Sequence, residues 1–119
     1  MGATEDSDGG CFPGGGIDYV RPWRALPEGS ERDGLTSRLA LEIAEGHALW
    51  GRGAHVLARN DASDDVVAVT ADGVFAIVHL TWSEAPQVAP WPWTECYRSG
   101  EALARALAAW SRQAGFLEE

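Results

Sequence analysis

Residues 66–82 read VVAVTADGVFAIVHLTW, and this stretch decides the fold. "VVAVTA" is short and rich in β-branched residues, the composition of a strand. Asp72-Gly73 is a two-residue hairpin signal between apolar runs. "VFAIVHLTW" then reads as a second strand. Side chains alternate along a strand, so Val74, Ala76, Val78, Leu80 and Trp82 share one face and Phe75, Ile77, His79 and Thr81 the other. Both faces are largely apolar, which predicts a central strand covered on both sides.

Working outward, "HALWGRGAHVLARN" at 47–60 is broken by Gly51 and Gly53, and a strand follows over 54–59. "NDASDD" turns the chain into the 66–71 strand. Before these, Leu35, Leu39 and Ile43 recur at helical spacing and predict a helix over 35–45, with Leu41 off its stripe. Asp33 or Thr36 would cap its start, and Gly46 would end it. Residues 17–26 read as an extended lead-in. After the central strand, "SEAPQVAPWPW" at 83–93 carries too many prolines for a central strand and predicts an extended loop across an edge or face. A closing helix is predicted over 99–114, capped by Ser99 and buried along Leu103, Leu107, Trp110 and Ala114. The fold class is therefore α+β: a three-stranded antiparallel meander flanked by an N-terminal and a C-terminal helix, with helices on a face of the sheet.

At 119 residues the chain is one domain by size. Residues 1–16 are glycine-rich and acidic and predict a disordered tail, leaving a single domain over 17–119. The net charge is −9, and all nine basic residues are arginine, which with much alanine and glycine fits a GC-rich bacterial genome. The arginines are scattered, so a nucleic-acid partner is not expected. A basic protein partner suits this charge, and so does simple solubility. No segment reaches the roughly 18 apolar residues that span a bilayer, and the acidic N-terminus has no apolar run of a signal peptide. Asp6 replaces the Ser or Thr of a myristoylation motif. A cytoplasmic monomer or weak homodimer is expected.

Catalytic candidates are few. His79 lies mid-strand. It is either a general base on the strand face, or a core histidine satisfied by a backbone carbonyl or by Glu95, and one histidine without a placed partner argues for the second. Cys96 in "WTECYR" has Arg98 nearby to lower its pKa, but a thiol nucleophile also needs a base and an oxyanion site. An inert half-buried cysteine is the simpler reading unless His79 approaches it. His47 and His55, eight apart, lack metal-ligand spacing, and no C-x-x-C pair is present. Asp61, Asp64 and Asp65 lack the spacing of a calcium loop. No metal and no cofactor is expected.

The aromatic residues carry the contact reading. Trp91 and Trp93 alternate with Pro90 and Pro92, so in an extended run their rings project to the same side. With Trp82 and Tyr97 they form either a rigid ledge that anchors an interface or a loop that closes a small core, one tryptophan per gap. Trp82, Trp91, Trp93, Tyr97, Asp61, Asp64 and Asp65 are the contact candidates. The reading that follows is a small acidic protein-binding module for a basic partner. The alternative is a small hydrolase or ligand-binding enzyme using His79 with Glu95 or Cys96. A structural subunit that pairs through a strand edge is a third.

Sixteen positions also form a pattern: His47, Leu49, Trp50 and Gly51; Asp64, Asp65 and Val66; His79 to Ser83; and Trp91, Pro92, Thr94 and Tyr97. It resembles a group of small uncharacterised bacterial proteins that share H-P-L-[WY]-G, D-D-V, an H-L-T-W-S strand and a W-P-x-T-x-x-Y loop. Ala48 stands where that group has proline. The resemblance covers residues 47–97 and implies no activity. Small acidic bacterial domains of this shape include immunity proteins to toxins, an analogy of size and charge alone.

Overall fold

A computed structural model describes residue 17, residues 19–88 and residues 91–117. The tail expected over 1–16 lies outside the described residues, as does Pro90. The meander forms as read: β2 His55–Asn60, β3 Asp65–Val69 and β4 Phe75–His79 pair antiparallel in sequence order. The β3–β4 hairpin closes through three residues, 71–73, rather than the two-residue turn expected at Asp72-Gly73: Val69 pairs with Phe75, the Thr70 N–H donates to the Val74 carbonyl, and Gly73, at φ 90°, donates its N–H to the Thr70 carbonyl.

The sheet has five strands rather than three. Strand β1, Trp23–Ala25, pairs with β2, and β5, Trp93–Tyr97, pairs with β4. Three residues following Pro22 are too few to show a period. The prolines before β5 exclude a central strand, but β5 lies at the edge and begins after the last of them. Strand β4 is shorter than the apolar run that encodes it. It ends at His79, because the N–H groups of Thr81 and Trp82 donate to the Glu42 carboxylate instead of continuing the ladder.

One helix covers each face, which corrects the expectation of helices on a single face. Helix α1, Ser30–Glu42, sets Leu35 and Leu39, with Ile43 just beyond its end, against Val66, Ala68, Ala76, Val78 and Leu80. Helix α2, Gly100–Gln113, sets Leu103 and Leu107 against Val67, Val69 and Phe75. Both sides of β3 and β4 are thus buried, as their unbroken apolar runs require. Helix α1 starts earlier than its stripe, behind Gly29 and without a side-chain cap, so Asp33 and Thr36 are interior to it. Thr36 instead accepts the Val56 N–H through Oγ1 at 3.0 Å. Helix α2 is capped as expected, Ser99 Oγ accepting the Ala102 N–H at 3.1 Å. Ala114, placed on the buried stripe by spacing, is exposed past the helix end.

Candidate functional site

The end of the sheet where β3 begins, β4 ends and β5 begins collects most of the candidate residues. Register places Asp65 opposite His79, and His79 opposite Trp93, while Glu95 faces Ile77 and Tyr97 faces Phe75. Alternation then puts Asp65, His79, Trp93, Glu95 and Tyr97 on the α2 side. His79 Nδ1 lies 3.0 Å from Asp65 Oδ1, and Asp65 Oδ2 accepts the Ser63 hydroxyl at 2.6 Å. An ionised carboxylate only accepts. His79 therefore donates from Nδ1, and in the neutral ring Nε2 is left as an acceptor. The Tyr97 hydroxyl donates to Glu95 Oε1 at 2.9 Å. Across the gap, α2 presents the small side chains of Ala106 and Ala109 beside Trp110, and a cavity of about 340 Å³ remains. Among the described residues its lining includes two carboxylates and no arginine.

His79 is thus no core histidine. Its side chain is 51% exposed and its partner is Asp65, neither Glu95 nor a backbone carbonyl. Cys96 lies opposite Ala76 on the other face of the sheet, so alternation separates it from His79; it is a free, exposed thiol.

The three tryptophans expected to form a ledge are about half exposed, Trp82 43%, Trp91 49% and Trp93 50%, but among the described residues a ring contact joins only Trp91 and Trp93. The rings of Trp91 and Trp93 do share a side, with centroids 6.0 Å apart and planes at 51°. What pins the loop is the residue between them. Pro92 is buried, and its carbonyl oxygen accepts from His47 Nε2 and from the Thr94 hydroxyl, each at 2.9 Å. His47 Nδ1 accepts the Leu49 N–H at 3.0 Å, which fixes the neutral tautomer with the proton on Nε2. His47, weighed in the sequence only as a metal ligand, is a buried clasp between the 47–51 turn and the tryptophan loop.

Trp82 is posed by other means. It adopts φ 62°, a left-handed conformation that costs a bulky residue of order 1–3 kcal/mol. Glu42, at 0% exposure, holds it there. Oε2 accepts the Trp82 N–H at 2.7 Å, and Oε1 accepts the Thr81 N–H and hydroxyl at 2.8 and 2.9 Å. The indole Nε1–H donates to Asp64 Oδ1 at 2.9 Å, and the Arg38 guanidinium carbon lies 5.5 Å from the ring centroid, within cation–π range. Sequence reasoning missed Glu42. The signal was its position three residues after Leu39 and seven after Leu35, on the buried stripe of α1.

The acidic turn is not a free patch. Asp61 joins Arg24, Glu31 and Arg59 in a surface ion network beside β1. Hydrogen bonding from Arg24 holds the Asp61 and Glu31 carboxyls below the usual range. Asp64 serves Trp82 and Asp65 serves His79, so the three carboxylates are committed to separate neighbours. Among the described residues no group of three or more His, Cys, Asp or Glu side chains is arranged to hold a metal ion. No helix among them is long and apolar enough to cross a membrane.

Burial, then the Glu95 carboxylate, pushes the Tyr97 phenol up from 10 to about 12; burial does the same for Tyr19. The neutral phenol is favoured in the fold. Its contribution to stability is present below pH 10 and is lost as pH rises through about 12. In a spectrophotometric titration, tyrosinate absorbance of the folded protein is expected to rise only toward pH of about 12 for both tyrosines. A transition at the ordinary midpoint would show that neither ring is held in this way.

Compared with family models, with curated proteins and with solved structures, the chain matches none.

Proposed function

We propose that the chain is a non-enzymatic binding module that takes a basic protein partner on the ledge of Trp91 and Trp93, with the exposed Trp82 as a further contact. The observation that carries this reading is the Trp91–Trp93 pair: two large rings in contact and half exposed, beside a cavity whose described lining holds carboxylates and no arginine. Tryptophan is the residue type that dominates interface hot spots. The twice-bonded Pro92 carbonyl fixes the backbone between the rings, so little ordering entropy is lost on docking. A net charge of −9 steers a basic partner toward the surface and raises its association rate.

The His79–Asp65 bond favours a second reading, since a carboxylate on Nδ1 orients a histidine as a general base at Nε2. The described lining offers no cationic side chain to steady a developing negative charge, and no serine or cysteine beside the ring. Binding therefore accounts for more of the site than hydrolysis does.

The test compares wild type with Trp91→Ala and Trp93→Ala. Basic proteins retained from a bacterial lysate by immobilised wild type are purified and titrated calorimetrically against each chain. Each substitution is expected to weaken binding by at least about 2 kcal/mol, hot-spot size, while urea unfolding moves little. A partner held equally tightly by both variants overturns the reading.

A further inference from the structure

The cavity between β4, β5 and α2 has a chemistry of its own. At about 340 Å³ it lies at the low end of small-ligand sites, enough for one side chain rather than a large cofactor. Its charged side chains are the carboxylates of Asp65 and Glu95, and no lysine or arginine is among its described lining residues. Glu95 Oε1 is bonded by Tyr97, and among the described residues Oε2 has no partner. His79 Nδ1 is committed to Asp65, which in the neutral ring leaves Nε2 to accept. Of the remaining surface, Trp93, Tyr97 and Trp110 are aromatic, Ile77, Ala106 and Ala109 aliphatic, and Gln113 adds an amide. An anion would meet the carboxylates of Asp65 and Glu95 here. A purely apolar group would strip water from the Glu95 carboxylate and return nothing. A cation with several N–H donors and a flat face satisfies both halves of the lining: the donors meet the two acceptors, and the face stacks on indole. A guanidinium has that shape, whereas an ammonium has the charge without the plane or the fork of donors.

We propose that this cavity is a pocket for an arginine side chain, the guanidinium stacking on Trp93 and donating to Glu95 and His79. The proposal rests on the reading of the adjoining ledge as the interface for a basic partner, and makes this pocket the place where that partner inserts an arginine.

The experiment uses the full chain and three short blocked peptides, Gly-Arg-Gly and its lysine and citrulline counterparts. Citrulline keeps the shape and removes the charge. Binding is followed by nitrogen-edited NMR of the tryptophan indole N–H groups, assigned through single Trp→Phe variants. The arginine peptide is expected to shift Trp93 and Trp110, and to bind at least about tenfold more tightly than either counterpart, the size of a cation–π contact plus a lost charge-assisted bond. Glu95→Gln, on the exposed edge strand, should reduce its affinity about tenfold by the same arithmetic. Lysine or citrulline binding as tightly as arginine overturns the assignment, as does the absence of any shift at Trp93 and Trp110. Trp91 does not line the cavity, so the ledge reading is decided separately, by the effect of Trp91→Ala on the whole partner. The two failures are distinguishable.

Discussion

Glu42→Ala is expected to destabilise the fold by about 2–4 kcal/mol, since it strands three donors, each costing about 1–3 kcal/mol when left unmet, less what water recovers at the exposed Thr81 and Trp82. The carboxylate ends α1, where the helix dipole opposes negative charge. It is tolerated there because it accepts three hydrogen bonds that close the β4 strand and hold Trp82 at φ 62°. Glu42→Gln should fall between wild type and alanine. A single amide oxygen can serve Thr81 or Trp82, and the NH₂ then faces a donor. Urea midpoints at unchanged slope measure the loss. An alanine variant as stable as wild type would show that the 81–82 turn, and with it the pose of Trp82, is held by something other than Glu42.

Leu107→Ala is expected to cost about 2–5 kcal/mol, the range for a buried leucine whose cavity cannot fully collapse. Leu107 is wholly buried and packs with Leu103 against Val67, Val69 and Phe75, so the space it leaves is walled by sheet on one side and by its own helix on the other. Trp110 sits one turn further on, edge-on to Trp23 at 5.6 Å and stacked on Phe116 at 6.1 Å. Its removal should destabilise as well, in contrast to Trp93 on the rim of the same cavity. A Leu107→Ala protein that melts like wild type would mean that α2 buries a different face.

The meander, both helices and their buried stripes were legible because each is carried by a local period. Val66–Val69 and Val74–Val78 are apolar runs of strand length, Asp72-Gly73 marks the turn between them, and Leu103 and Leu107 repeat at helical spacing. Strands β1 and β5 were not legible, because three residues carry no period and because prolines veto a central strand but permit an edge. The site was half legible. The pairing of Trp91 with Trp93 follows from alternation. The partners of His79, His47 and Asp61 do not, because they lie across strands, 14, 45 and 37 residues away in sequence. The sixteen-residue pattern proved informative in a different way. His47 meets Pro92 and Thr94, Asp64 meets Trp82, and Asp65 meets His79, so much of the pattern is a set of contacts that shape one end of the sheet.

The central claim is that the rings of Trp91 and Trp93 stand in solvent and are free to take a partner. Difference fluorescence between wild type and each of Trp91→Phe and Trp93→Phe isolates their emission from that of the other tryptophans. Both difference spectra are predicted to be red-shifted and strongly quenched by iodide, with thermal stability little changed. Two difference spectra that are blue and resistant to iodide would place the rings in the core and contradict the claim.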